Sequence, residues 1–283
     1  MRSHESKQSP IWFSDTKPES TTQKLTVIIG FPGLSCKADK AAPFEQVRSR
    51  LENGESVIFD ATDLDRNQRA SVVQSVSDIH CAKVALCQMV PLENCTENDL
   101  HRLCSLWCPP HFLEGFTDMQ FEFPNYNARK YNLYDLFYGK NGITDYDRKQ
   151  SRCSLTLGDH LLKAFLLIKD KFPRDSNLQY ATLLHDIGET IFTEDNQFVN
   201  VNEIAKTHHY PHSVVSSYQS CFYLKANGVP DYDIAYIANI IYYHMHPYYF
   251  WQDKDEERLA KKIIGDRLQK NVFRLHYANV SAH

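Results

Sequence analysis

The first half of the chain alternates short apolar runs with amphipathic stretches. The runs are β-rich and bounded by turn residues, so we predict three strands: 25–29, 56–60 and 83–90. Amphipathic spacing predicts helices after the first two: 43–52 and 66–77. Strands that alternate with helices in this way indicate βαβ units and a mainly parallel sheet.

From about residue 150 the apolar residues recur at helical spacing instead. Two sets show it: Leu155, Leu157, Leu161, Leu162, Phe165 and Ile168, then Leu178, Ala181, Leu184 and Ile187. Later helices are predicted at 201–227, 231–245 and 256–280. The predicted fold class is therefore α/β plus all-α. The chain is predicted to comprise a polar tail (1–23), an α/β domain (24–138), a linker (139–152) and an all-helical domain (153–283).

Size and composition narrow the function classes. A chain of 283 residues is long enough for two domains, each with its own core. The net charge of -4 argues against nucleic-acid binding driven mainly by counterion release. The N-terminus lacks the apolar core of a signal peptide, and no apolar run has the length of a membrane span. The eight cysteines form no CxxC pairs, so we expect a cytoplasmic protein with reduced thiols, no membrane contact and no structural zinc.

A loop with two glycines follows the first predicted strand, where a phosphate-binding loop would lie. It reads Gly30-Phe-Pro-Gly33-Leu-Ser-Cys-Lys37. In an intact GxxxxGK[ST] loop the lysine stands one place earlier and a hydroxyl follows it, to reach phosphate and magnesium. This loop has neither feature. We therefore expect it to have lost the chemistry of a phosphate loop.

The stretch from Asn53 to Arg69 resembles a segment of the polynucleotide-kinase branch of P-loop kinases, and the resemblance covers roughly 24–138. It rests on Asp60 at a strand end and on Asp63-Leu-Asp-Arg-Asn-Gln-Arg69 after it. The resemblance implies a nucleotide site with Asp60 as the magnesium-organising residue. The nucleotide-binding candidates are Gly30, Gly33, Lys37 and Asp60. Because the loop is broken and the segment before Asn53 is too short for the family's acceptor-activating residues, we expect an inactive scaffold. Weak anion binding at a helix N-terminus stays open as an alternative.

A His-Asp pair, His185-Asp186, ends an apolar run in the second half. A charge in such a run needs a partner. Further histidines stand upstream and downstream at His160, His212 and His244. Imidazoles with a carboxylate suit Mn, Fe(II) or Zn, with Mg as a further option. The pattern predicts a divalent-metal site.

Residues 153–283 resemble the HD-domain phosphohydrolases, an all-helical superfamily. The matching stretches are Leu157-Gly-Asp-His160, Leu183-Leu-His-Asp-Ile-Gly188, His209-Tyr-Pro-His-Ser213 and Ile240-Ile-Tyr-Tyr-His244. The resemblance implies one or two metals held by His160, His185, Asp186, His212 and His244, with Asp186 bridging. It leaves His208 and His209 near the site or on the surface.

Two positions depart from the family pattern. The late aspartate of the family aligns with Asn279, and Asp266 on the same predicted helix is the alternative ligand. Glu189 replaces a lysine common in the family, and Lys163, one helical turn after His160, could compensate. The candidate catalytic residues are Asp186 and Lys163, although a solvated surface lysine is the plainer interpretation of the latter.

Aromatic residues surround His244: Tyr242, Tyr243, Tyr248, Tyr249, Phe250 and Trp251. They pack between helices or stack on a base. His246 precedes Pro247, which favours an extended residue that faces substrate. His276 and His283 are interpreted as structural or exposed.

These features together predict a metal-dependent phosphohydrolase. Its expected substrate is a nucleotide or the phosphate end of RNA or DNA. Two alternatives stay open: a non-catalytic binding or regulatory protein in which both domains are degenerate, and an unorthodox nucleotide or polynucleotide kinase. The oligomeric state does not follow from the sequence.

Overall fold

The computed structural model of the chain describes residues 23–31, 41–124, 126–140, 142–146, 155–191 and 211–283. Four residues singled out above lie outside these ranges: Gly33, Lys37, His208 and His209. Within the described ranges, no helix is both long enough and apolar enough to cross a membrane.

A four-stranded parallel sheet forms the N-terminal part of the molecule. Its strands are β1 (Lys24–Gly30), β2 (Val57–Asp60), β3 (Ala82–Gln88) and β4 (Asp118–Glu122), in the order β2-β1-β3-β4. The central strands β1 and β3 are buried along almost their whole length, as expected for a parallel sheet. The three predicted strands and their parallel pairing are confirmed.

Strand β4 was not predicted from the sequence. Only Met119 and Phe121 of this edge strand are buried, and they alternate with exposed Asp118, Gln120 and Glu122. A run with two apolar residues is too polar to resemble the central strands. Its pairing with β3 shows only in three dimensions.

Helices follow each strand of the sheet: α1 (Phe44–Glu52), α2 (Arg66–Gln74), α3 (Glu97–Leu106) and α4 (Leu133–Tyr138). The predicted helices at 43–52 and 66–77 are confirmed, although α2 ends earlier, at Gln74. Asp65 and Gln68 form a capping box at the start of α2, since each side chain accepts the other's backbone N–H at 2.9 Å. Short 3-10 turns occupy Leu92–Asn94, Phe112–Glu114, Ala128–Lys130, Ile143–Asp145 and Ile187–Ile191.

The C-terminal part is helical. Its elements are α5 (Leu157–Lys171), α6 (Ser176–Leu184), α7 (Pro211–Ala226), α8 (Asp231–Tyr243), a short α9 (His246–Tyr249), α10 (Lys254–Ile264) and α11 (Asp266–Ser281). The prediction of one helix over 256–280 is wrong, because Gly265 separates α10 from α11 with a φ of 80°. Glycine adopts this left-handed backbone without steric cost. The α/β and helical layout of the two parts is otherwise as expected.

The helical part packs on the carboxyl edge of the sheet. The Tyr218 hydroxyl on α7 donates to the Val90 carbonyl at 2.9 Å and accepts from the Val90 N–H at 2.7 Å. Trp107 Nε1 donates to Ser217 Oγ at 3.2 Å, and Arg66 donates to the Tyr243 hydroxyl at 2.6 Å. One continuous apolar cluster runs through both parts. The predicted linker at 139–152, which would separate two domains, stays a prediction.

A buried ion pair of the N-terminal part lies next to this interface. Arg69 Nε and Nη2 contact the Glu114 carboxylate at 3.1 and 3.2 Å, and both side chains are 1% exposed. Arg69 also donates to the Cys108 carbonyl at 3.0 Å, and Arg66 lies 3.6 Å from the same carboxylate. The arginine that the sequence aligns with a kinase motif thus has a structural partner.

Removing one member of this pair should destabilise the protein strongly, because it strands a buried charge. We expect Glu114→Ala to lower the free energy of unfolding by about 3–5 kcal/mol. Urea denaturation followed by tryptophan fluorescence measures it. The matched control is Asp78→Ala, which breaks the exposed pair with Arg48 and should have a far smaller effect. Equal effects of the two variants would contradict this account.

Candidate metal centre

His185 and Asp186 lie at the centre of the helical part. Helix α6 ends at Leu184, and the pair forms the turn before the 3-10 segment Ile187–Ile191. Their exposed fractions are 0% and 2%. A lone carboxylate at this depth is strongly disfavoured, so Asp186 needs charged or hydrogen-bonding neighbours.

Four histidines surround the Asp186 carboxylate, two at each oxygen. Nε2 of His160 and Nε2 of His185 lie 3.6 and 3.3 Å from Oδ2. Nε2 of His212 and Nε2 of His244 lie 3.6 and 3.2 Å from Oδ1. The side chains form two groups that share Asp186, and each group is compact enough to hold a metal ion.

Each histidine is carried by a different helix. His160 lies in the first turn of α5, His185 follows α6, His212 lies in the first turn of α7, and His244 follows α8. His160, His185 and His244 are 0% exposed, whereas the His212 side chain is 17% exposed. His160 is therefore a buried residue, as a metal ligand at the centre of the helices would be. Among these ligand candidates, His212 marks the side that solvent reaches.

Backbone carbonyls fix the ring state of two of these histidines. His185 Nδ1 contacts the Thr182 carbonyl at 2.8 Å, and His244 Nδ1 contacts the Ile241 carbonyl at 2.6 Å. A carbonyl only accepts, so each Nδ1 carries the hydrogen, and a neutral ring then presents a lone pair at Nε2. A lone pair at Nε2 would be repelled by the carboxylate that it faces. The contact is attractive only if the rings gain a proton or a cation lies between them.

The electrostatics of Asp186 agree with this arrangement. Burial opposes its ionisation, but the charges of His185, His212 and His244 and a hydrogen bond from His244 outweigh burial. They hold the pKa of the carboxyl well below its ordinary value. Asp186 is therefore an anion at neutral pH. Imidazole nitrogens around a carboxylate are a donor set that suits Mn, Fe(II) or Zn.

Asn279 lies near the end of α11, the helix that packs against α5 and α6. The residue is 7% exposed, and its buried Oδ1 has no hydrogen-bond partner among the described residues. A buried amide oxygen in this state fits the ligand role predicted for Asn279 from the sequence. Asp266 does not, because it begins the same helix, about 20 Å away. It binds Lys261 and Lys270 at 2.8 and 2.6 Å, and these bonds lower its pKa to about 2.

Gly188 brings the His-Asp turn against α7. Its N–H donates to Ser216 Oγ at 2.9 Å. A Cβ at this position would lie 2.7 Å from both the His212 carbonyl oxygen and the Ser216 nitrogen. The absence of a side chain therefore allows Asp186 and His212 to approach each other. In the sequence, this glycine stands out only as the end of the Leu183–Gly188 motif.

Two other predicted site residues lie further out. Lys163 is exposed on α5, while His160 is buried. Glu189 is half-buried in the 3-10 turn after the His-Asp pair. The compensation of Glu189 by Lys163 stays a prediction. The ring of His283, interpreted from sequence as structural or exposed, lies 4.6 Å from that of His160.

His246 is not an extended residue, and that prediction is wrong. It begins the short helix α9 and packs against Tyr243 and Trp251, with ring centroids 4.7 and 5.3 Å away. Burial and the nearby charge of His244 lower its pKa to about 4. Proline at the second position of a helix is compatible with helical backbone, which explains the difference. Of the surrounding aromatics, Tyr248 and Phe250 are exposed at 53% and 42%.

The nucleotide-binding candidates lie at the carboxyl edge of the sheet. Gly30 is the last residue of β1, and a Cβ there would overlap the Gln88 carbonyl of β3. Asp60 ends β2, and its Oδ1 accepts from the Thr62 N–H and hydroxyl at 3.0 and 2.8 Å. Gly33 and Lys37 lie outside the described residues.

The crevice between β1 and β3 is where an open parallel sheet of this order binds ligands, since the chain order reverses there. Tyr218 occupies it. Its ring lies 6.0 Å from that of Phe31, which follows β1, and its hydroxyl binds Val90, which follows β3. The side chain is fully buried. Among the described residues, the crevice is thus an interface with α7.

The chain matches no known family model, and no curated protein and no solved structure shows significant similarity to it. Its chemistry is therefore inferred from the arrangement of its own side chains.

Metal content should divide between the two groups of ligands. We expect about two ions per full chain after loading with Mn or Zn, about one in His160→Ala or His244→Ala, and almost none in Asp186→Ala. The reason is that Asp186 belongs to both groups, whereas each histidine belongs to one. Mass spectrometry of metals after gel filtration measures this. The exposed His80→Ala is the control. Two ions retained in Asp186→Ala would refute the shared carboxylate.

Gly188→Ala should weaken metal binding at the group that contains His212, although it alters no ligand. The added Cβ must push α7 away from the His-Asp turn. We expect one of the two ions to bind at least about tenfold more weakly. Metal affinity falls by a comparable factor when residues that hold metal ligands in place are changed. Competition with a chelator measures both affinities. The exposed Leu166→Ala is the control, and unchanged affinities in Gly188→Ala would contradict the proposed packing role.

Proposed function

We propose that this chain is a metal-dependent phosphohydrolase of the HD type. The observation that carries the proposal is the placement of four Nε2 atoms around the two oxygens of one buried aspartate. A structural aspartate could be neutralised with one cationic partner. Four imidazole Nε2 atoms around one carboxylate favour a site for cations.

The protein residues would divide the work as follows. His160 and His185 hold one ion, His212 and His244 hold another, and Asp186 belongs to both. Asn279 would provide an additional neutral ligand through its side-chain Oδ1, which has no hydrogen-bond partner among the described residues. When bound, two such ions supply an activated water and stabilise the attacking and leaving oxygens of a phosphoryl displacement.

The surroundings of the histidines assist by orientation. The carbonyls of Thr182 and Ile241 hold two rings with Nε2 towards Asp186, as carbonyl partners do for metal-binding histidines elsewhere. Burial of three of the four rings excludes bulk water from one side. Substrate would then approach near His212, where the side chain is partly exposed.

A nucleotide or the phosphate end of RNA or DNA is the substrate class we propose. Its support is the resemblance of residues 24–138 to polynucleotide kinases, in which kinase and phosphatase steps act on the same ends. We propose no kinase activity. The broken loop argues against it, and so does the occupation of the sheet crevice by Tyr218.

Phosphoester hydrolysis tests the proposal directly. We expect the manganese-loaded chain to hydrolyse p-nitrophenyl phosphate or bis-p-nitrophenyl phosphate, and Asp186→Asn to lower kcat by at least about 100-fold, the upper range for changes to metal-site supports. His80→Ala should retain the rate. Circular dichroism checks that the variants are folded. A metal-loaded wild-type chain that hydrolyses neither ester, nor a panel of nucleotides and 5′- or 3′-phosphorylated oligonucleotides, would favour the non-catalytic alternative.

A further inference from the structure

A polar depression lies at the end of the helical part opposite the metal centre. Its volume is about 660 Å³. Three arginines line it, Arg174, Arg267 and Arg274, together with two aspartates, Asp175 and Asp233. The formal charge of these side chains is therefore +1. Such an excess in a concave site favours an anionic ligand.

The depression is separate from the histidine cluster. Helix α5 carries His160 in its first turn, and Phe172, which follows its last residue, lines the depression. At about 1.5 Å per helical residue, these two positions are about 18 Å apart. A ligand in the depression would therefore not contact Asp186.

Three helices begin at this depression. Ser176 and Asn177 from the first turn of α6, Asp233 from the first turn of α8 and Arg267 from the first turn of α11 line it. The N-terminal ends of helices carry partial positive charge. The helix ends therefore reinforce the charge of the arginines.

Two of the three arginines lie against aromatic rings. The guanidinium of Arg274 lies 4.3 Å from the ring centre of Phe172 and donates to Asn271 Oδ1 at 2.9 Å. The guanidinium of Arg267 lies 5.3 Å from the ring centre of Tyr236. Stacking restrains both guanidiniums, so less side-chain entropy is lost when they bind an anion.

The aspartates are engaged mainly by neutral donors. Asp175 accepts from the Leu178 N–H at 3.0 Å and from Asn271 Nδ2 at 3.1 Å. Asp233 accepts from Asn177 Nδ2 at 2.7 Å. The approach of Arg274 to Asp175 is 4.0 Å, longer than a charge-assisted hydrogen bond. The carboxylates therefore do not fully neutralise the arginines.

We propose that this depression binds a small polyphosphate anion. Phosphate oxygens match the edge of a guanidinium, and a chain of phosphates can contact several arginines at once. Recognition rests on the phosphates and not on a base, because the guanidiniums already lie against the Phe172 and Tyr236 rings. The binding does not depend on the proposed hydrolase activity.

Calorimetric titration of the metal-free full chain with inorganic tripolyphosphate, at constant ionic strength, tests the proposal. We expect one molecule per chain. The Kd should rise at least about tenfold in Arg174→Ala and in Arg267→Gln, because each loses a charge-assisted contact. Both side chains are exposed, so the variants should fold. ATP should bind with a Kd within about threefold of that of tripolyphosphate, since both carry three phosphates.

Two controls separate this site from others. Arg258→Ala removes an exposed arginine of α10 that pairs with Asp255 and should leave the Kd unchanged. Asp186→Ala should also leave it unchanged, even if hydrolysis proves absent in the wild-type chain. No binding, equal weakening by Arg258→Ala, or loss of binding in Asp186→Ala would overturn the proposal. So would ATP binding more than about tenfold tighter than tripolyphosphate.

Discussion

The helical part of this protein is organised around one buried carboxylate. Asp186 is 2% exposed, yet its pKa is held well below the ordinary value, so the chain maintains an anion in its interior. The cost of burying such a charge is several kcal/mol unless opposite charge is close. Four imidazoles from the ends of four helices meet at this group. The orientation of α5, α6, α7 and α8 can therefore be understood as the arrangement that brings these ends together.

The sheet contributes to this arrangement at a distance. Its carboxyl edge, the usual place for a ligand in a parallel α/β sheet, is occupied by Tyr218 of α7. The same helix carries His212 in its first turn. The contact of α7 with the sheet thus positions the helix that carries His212, the partly exposed histidine of the cluster.

Much of the fold follows from local patterns. Continuous apolar runs were sufficient for β1, β2 and β3, and helical spacing for α5 and α8. The edge strand β4 could not be predicted, because only Met119 and Phe121 mark it and its partner is distant in sequence. The break at Gly265 was missed since one glycine also occurs inside helices, and its φ of 80° depends on how α10 and α11 pack.

The candidate site also has features that local sequence predicts and features that depend on tertiary packing. The His-Asp pair and its upstream and downstream histidines were identified from residue types and a family resemblance, and the structure brings them together. The choice between Asn279 and Asp266 needed burial and distance, which the sequence does not contain. His246 was misassigned because the proline rule gives only a local preference, whereas the aromatic packing around the ring is tertiary.

We propose that the two oxygens of Asp186 serve two neighbouring cations. Electron paramagnetic resonance of the full chain loaded with two equivalents of Mn(II) tests it most directly. The account predicts the spectrum of an exchange-coupled pair, with the ions about 3.5–4 Å apart as in other two-metal sites. A spectrum of isolated Mn(II) ions at two bound equivalents would contradict it.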